Sequence, residues 1–201
     1  MKKLSVIGCG LTGSMLADSL AAHMLSTELW FDTTFLDHDI VEVRNSPGNH
    51  NAVNGAGQKK AVVTAARLAE YGLPVRPISQ RVTKKNSNLL LGDTDLIIGA
   101  VDNIDARLLM WEASSGINAI PYMDIGLQNF GFYVSWTYGD VDTMQYSPKA
   151  STKKKQAMPN QEKQPACELV ATRLNAAAAV ECAARSAMIF AFGHDPAHIV
   201  S

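Results

Sequence analysis

The sequence predicts an α/β fold: a doubly wound, mostly parallel sheet with an antiparallel edge and a long C-terminal helix. Three observations carry this. Short apolar runs alternate with helical patterns over the first part of the chain, and strands alternating with helices pair in parallel through right-handed crossovers. The first apolar run enters Gly8-Cys9-Gly10-Leu11-Thr12-Gly13, a G-x-G-x-x-G turn that opens a helical pattern. Later, "FGFYVSWTYG" alternates aromatic and small residues, which suits an antiparallel edge, and an alanine-rich run follows.

Taken in order, Leu4 to Ile7 reads as a buried strand and Gly13 to Leu25 as a helix. "WFDTTFLDHD" contains a second strand ending near Leu36, and "VEVRNSPGNHNAVNGAG" reads as loop from its Asn, Gly and Pro content. "QKKAVVTAARLAEYG" suits a helix capped by Gly72. "PVRPISQRV" alternates like a short strand, and "SNLLLGDT" suits a short helix. "DLIIGAVDN" is a continuous apolar strand, "IDARLLMWEASSG" a helix and "AIPYMDIGL" another strand. From 140 to 165 no apolar period is sustained, and this stretch is expected to be a mobile loop whose Lys153-Lys154-Lys155 forms a solvated patch. "CELVATRLNAAAAVECAARSAMIFAFG" then reads as one long helix ending at Gly193.

With 201 residues, 47% of them hydrophobic and 18% charged, the chain suits one globular domain with a substantial core. The net charge of −1 gives no reason to expect nucleic acid or a membrane surface. The apolar run before the glycines is too short for a signal peptide, and no window of about 18 uninterrupted apolar residues predicts a membrane span. Cys9, Cys167 and Cys182 form no C-x-x-C pair, so neither a disulfide framework nor structural zinc is expected, and thiols in a reducing cytoplasm are the simpler reading.

Several residues carry candidate chemistry. In the turn, Gly8 permits the tight bend, Gly10 lets backbone approach phosphate, and Gly13 allows close helix–strand packing; the helix start adds amide donors. A glycine-rich turn that merely packs is the plainer alternative. An acid beyond such a turn holds ribose hydroxyls; Asp37 stands 24 residues past Gly13, with Asp39 as its competitor. Lys60, in the first turn of the next helix, is a mobile charge suited to phosphate, although a lone lysine there is usually solvent-facing. Asp102, just past a buried strand, reads equally as a helix N-cap or as a Mg²⁺ ligand beside a triphosphate. Gly8, Asp37, Val101-Asp102 and Asp124 all fall after expected strands and so point at one crevice.

Together these stretches resemble the ThiF/MoeB/ubiquitin-activating-enzyme superfamily of adenylyltransferases. The matching pieces are "GCGLTGS" at 8–14, "DHDIVEVRN" at 37–45, "GQKKA" at 57–61, "AVDNIDAR" at 100–107 and "PYMDIG" at 121–126, with "QPAC" at 164–167 like a late family cysteine. The resemblance implies a single Rossmann-like nucleotide-binding adenylation domain over residues 1–201, with the 140–165 loop in the place of a crossover segment. It implies ATP and Mg²⁺ as cofactors, with Asp37 at the ribose, Asn45 and Lys60 at the phosphates, Asp102 at the metal and Asn103 beside the nucleotide. It further implies catalytic roles for Lys60, Asp102 and Cys167, to which Arg44 is added as a nearby candidate, acting on the C-terminal carboxylate of a small ubiquitin-like or sulfur-carrier protein, in a homodimer. From the sequence alone, a cysteine before an alanine-rich helix, as Cys167 is, is most often a small packing residue.

Two features depart from the pattern. Gly48 stands where the family carries an arginine three residues after the asparagine matched by Asn45, and Arg44 is the nearby substitute. The paired zinc C-x-x-C motifs are absent from the sequence. A degenerate, non-catalytic nucleotide- or partner-binding relative is the alternative reading these departures favour. An NAD-dependent oxidoreductase rests on the glycine turn alone.

Overall fold

The computed structural model describes residues 1–42, 51, 55–115, 119–128, 131–137 and 166–194. Six strands form one sheet: β1 (Lys2–Ile7), β2 (Phe31–Leu36), β3 (Arg76–Ile78), β4 (Leu96–Gly99), β5 (Tyr122–Gln128) and β6 (Gly131–Thr137). Five helices accompany them: α1 (Leu11–Thr27), α2 (Lys60–Ala69), α3 (Ser87–Leu91), α4 (Ile104–Ser114) and α5 (Ala166–Ala191). The spatial order is β3-β2-β1-β4-β5-β6. All pairings are parallel except β5 with β6, which is antiparallel. This is the doubly wound, mostly parallel sheet with an antiparallel edge that the sequence predicts.

Strand alternation explains the layers. Leu4, Val6, Phe35, Leu96, Ile98, Met123 and Ile125 face one side and pack with Leu16, Leu20 and the α5 alanines Ala179, Ala183 and Ala187. Ile7, Leu36, Ile97 and Tyr122 face the other, with Leu91 of α3 and Met110 of α4. A parallel strand buried on both faces must read as a continuous apolar run, which is why "LIIG" carries no polar residue. On α5 the fully buried Ala176, Ala179, Ala183, Ala184 and Ala187 recur at helical spacing; their small side chains let α5 lie close along α1, β5 and β6. Among the described residues, α5 across Arg173–Ala191 is the one stretch with the length and apolarity of a membrane span.

Helix ends differ modestly from expectation. α1 begins two residues earlier than the sequence suggests and ends at Thr27, where Glu28 takes a left-handed φ of 56°. No glycine marks that end, so the sequence carried no stop signal. Gly72 and Gly193 take φ of 75° and 86° beyond α2 and α5, as C-terminal glycines do. The 140–165 stretch, with Lys153-Lys154-Lys155, lies outside the described residues.

Register aligns the chemistry. Ile7 pairs with Leu36 on one side and with Gly99 on the other. Three strands therefore end level, and their following residues Gly8, Asp37 and Ala100 to Asp102 share one edge. The strand order reverses at β1, with β2 on one side and β4 on the other, and open sheets bind ligands beyond the strand ends at such a switch point.

Candidate nucleotide site

A cavity of about 420 Å³ opens at this switch point, lined among others by Gly8, Gly10, Thr12, Asp37, Asp39, Lys60, Asp102 and Asn103. The three glycines meet different constraints. Gly8 has φ +98°, and a Cβ there would stand 2.5 Å from the Ala100 carbonyl oxygen. A Cβ on Gly13 would fall onto the Gly8 carbonyl oxygen, so α1 can sit this close to β1 only with glycine there. A Cβ on Gly10 would meet nothing within 4 Å. The first and third glycines are thus required by packing, whereas Gly10 leaves open approach from the cavity. Gly10 is also the N-cap of α1, and no side chain caps the helix. Its first amides are left to a ligand or to water.

Asp37 anchors the turn. Its Oδ2 accepts from Cys9 N–H at 2.7 Å and its Oδ1 from Asp39 N–H at 2.8 Å. Each oxygen keeps a further lone pair. Lys60 Nζ donates to Asp39 Oδ2 at 3.1 Å, and Lys60 is only 12% exposed while Asp39 is 52% exposed. Partial burial pushes the Asp39 carboxyl up, but the hydrogen bond and charge of Lys60, with His38 and Lys59 nearby, outweigh it and hold it below the usual carboxylate range. Burial, reinforced by the Asp37 charge, pushes the Cys9 thiol up to about 12. Cys9 is a packing residue under the turn and no nucleophile.

Asp102 is exposed on the cavity wall. It does not cap α4: Asn103 does, its Oδ1 accepting from Ala106 N–H at 2.8 Å. The capping role open to Asp102 therefore belongs to its neighbour. The exposed Asp102 carboxylate on the cavity wall fits a Mg²⁺ ion bound largely through water and phosphate oxygens, since that ion takes as few as one carboxylate. Asp37, His38 and Asp39 also bring ligand-type atoms within 4.8 Å of one another. Those carboxylates, however, are already engaged by backbone amides and Lys60.

Asp124 requires a correction. It is the third residue of β5 and not a residue beyond it; its pairing with Gly99 sets it level with the ends of β1, β2 and β4, but it is buried and reaches the cavity only through its partner. Its partner is Arg107, whose Nη1 lies 2.5 and 2.6 Å from the two carboxylate oxygens. Tyr122 and Tyr133 hydroxyls donate to the same carboxylate at 3.0 and 2.9 Å. Arg107 Nη2 reaches the carbonyls of Val101 and Ile125. Burial works against the Arg107 guanidinium, yet Asp124 outweighs it and raises its pKa. This network fixes the Val101 carbonyl, and with it the loop carrying Asp102. A single acid inside an apolar strand was the signal for it, because a buried carboxylate demands a buried partner. Gln80 and Arg81, beyond β3, also line the cavity; nothing in "PISQRV" marked them.

Arg44, Asn45 and Gly48 lie outside the described residues. Cys167 falls in the first turn of α5, and its side chain is outside the described set. The remaining expected residues, Gly8, Gly10, Asp37, Asp39, Lys60, Asp102 and Asn103, come together around the one cavity, with Gly13 directly behind it.

No curated protein matches. The structure of PaaA superposes with a TM-score of 0.72 at 15% identity, over 97% of this chain and 57% of PaaA. The E. coli tRNA N6-threonylcarbamoyladenosine dehydratase TcdA has been solved with AMP and with ATP. The AMP complex superposes with a TM-score of 0.57 at 24% identity, over 64% of this chain and 52% of TcdA. The ATP complex gives 0.55 at 25% identity over the same shares. This chain thus spans little more than half the length of these neighbours. The ThiF family model matches residues 2–198, nearly end to end, and the chain belongs to the ThiF family.

Proposed function

We propose that this chain is an ATP- and Mg²⁺-dependent adenylyltransferase that activates the C-terminal carboxylate of a small ubiquitin-like or sulfur-carrier protein. The observation that carries the reading is the convergence of an unobstructed Gly10, Lys60 and Asp102 on one cavity at the strand-order reversal. ThiF family membership and the nucleotide complexes of the TcdA neighbour support it.

The chemistry asks for positioning and charge neutralisation more than for acid–base work. A carboxylate oxygen attacks the α-phosphorus in line; the bond to the β-phosphate oxygen breaks and its electron pair leaves with pyrophosphate. Asp37 offers its free lone pairs to ribose hydroxyls. The Gly10 turn and the α1 amides face phosphate oxygens, and Lys60 exchanges its contact with Asp39 for a phosphate. Mg²⁺ held at Asp102 would neutralise phosphate charge and aid departure of pyrophosphate.

ATP–pyrophosphate exchange, measured with and without a candidate carrier protein, tests the reading. Carrier-dependent exchange that Asp102→Ala abolishes is the expected result. Absence of exchange with every carrier, alongside ATP binding, identifies instead a non-catalytic nucleotide-binding relative, the reading that Gly48 favours. Tight NADH binding without ATP binding overturns both.

A further inference from the structure

Behind the glycine turn, on the side away from the cavity, lies a second polar cluster. Asn51 is 1% exposed. Its Nδ2 donates to the Cys9 carbonyl at 3.2 Å and to Thr64 Oγ1 at 2.9 Å. Arg67 of α2 stands beside it: one guanidinium nitrogen pairs with Asp18 of α1, and the other donates to the Ser14 carbonyl at 3.0 Å and toward Asn51 Oδ1 at 3.4 Å. Burial lowers the Arg67 pKa.

We propose that Asn51 is a positioning residue for anion binding: by holding the Cys9 carbonyl it aims the Gly10 amide into the cavity. The physical step is short. Carbonyl and N–H of one trans peptide point in opposite directions. The carbonyl of the Cys9–Gly10 peptide is turned to buried Asn51, so its N–H, carried by Gly10, points the other way, and Gly10 lines the cavity whereas Asn51 does not. The preceding peptide is held from the opposite side, since Cys9 N–H donates to Asp37. Cys9 is therefore clamped at both of its backbone groups. Arg67 braces the clamp by tying Asn51 to the first turns of α1. A preformed donor needs no reorganisation when a phosphate arrives.

This inference rests on the nucleotide reading of the cavity, but its test separates the two. Asn51→Asp replaces the donor by an acceptor facing a carbonyl, and the peptide must turn. Three measurements are made on the wild type, Asn51→Asp, Asn51→Ala and the remote Thr33→Val control: thermal midpoint, ATP affinity by calorimetry, and the Gly10 amide resonance without nucleotide. The expected result is a displaced Gly10 resonance in both Asn51 variants. ATP affinity is expected to fall about tenfold or more, the size of one lost or misdirected buried hydrogen bond. Thr33→Val is expected to lower the midpoint while leaving both readouts in place. If Asn51→Asp does not fold, Asn51→Ala carries the test. A Gly10 resonance unmoved in the folded Asn51 variants overturns the proposal, as does wild-type ATP affinity in them. If the wild type binds no ATP, the nucleotide reading fails by itself, and the Gly10 resonance still decides whether Asn51 aims that amide.

Discussion

Arg107 Nη1 lies 2.5 and 2.6 Å from the two carboxylate oxygens of Asp124, with the side chains only 15% and 7% exposed. The pair ties the wall of the cavity to the centre of β5. Removing one partner of a buried pair leaves an uncompensated charge, and this destabilises by about 3 to 5 kcal/mol. Arg107→Leu should therefore lower stability by about that amount in urea denaturation, while Arg107→Leu with Asp124→Leu should regain part of it. If the loss in the double variant equals the sum of the losses in Arg107→Leu and Asp124→Leu measured separately, the pair is not coupled.

The glycine turn makes a sharper prediction, because its glycines fail in different ways. Gly8→Ala and Gly13→Ala force a Cβ against carbonyl oxygens, and roughly 2 to 4 kcal/mol of destabilisation should follow in each. Gly10→Ala meets no neighbour within 4 Å and should unfold like the wild type. Its ATP affinity should nonetheless fall about tenfold or more, since the methyl stands where phosphate approaches. Paired melting curves and ATP titrations read both quantities on the same samples.

Asp39 supplies a pH signature. Lys60 holds its carboxyl below the ordinary value of 3.8 in the folded chain. A carboxyl with a depressed folded pKa contributes stability above its unfolded pKa and loses it as pH falls through the folded one. Acid titration of stability below about pH 4 should therefore be shallower in Lys60→Gln than in the wild type. Asp39 is half exposed, so the difference should shrink in high salt. Identical acid limbs in the two proteins would remove Lys60 as the cause.

Cys9 should be chemically silent. It is buried, and its thiol is pushed up to about 12, so thiolate is scarce at neutral pH. In a variant whose other cysteines are serine, a disulfide reagent should label Cys9 only after denaturant is added. Labelling of the native protein within minutes at pH 7 would mean that the turn opens.

Most of the sheet was legible because period and punctuation agreed. "LIIG" is apolar on both faces, as a central parallel strand must be, "LSVI" departs from this only at buried Ser5, and Gly72 and Gly193 mark helix ends. The end of α1 was not legible, because Glu28 takes a left-handed backbone that sequence assigns to glycine. At the site, Gly8, Asp37 and Asp102 were readable from their places after strands. Asp124 stands at the expected level of the sheet but inside β5 and buried, because "YMDIG" continues as a strand past the acid, and nothing in the sequence marks Arg107 as its partner. Asn51 was hidden for a related reason. It lies in an Asn- and Gly-rich stretch, and only tertiary contact distinguishes a buried amide clamp from a loop asparagine.

The central claim is that Gly10, Lys60 and Asp102 form one cradle for a nucleoside triphosphate with its metal. Calorimetric titration of the whole chain with ATP, with and without Mg²⁺, in the wild type and in Asp102→Asn, tests it most directly. The claim predicts saturable ATP binding that Mg²⁺ strengthens in the wild type, with the Mg²⁺ enhancement lost in Asp102→Asn. ATP binding equally indifferent to Mg²⁺ in both proteins, or none in the wild type, would contradict it.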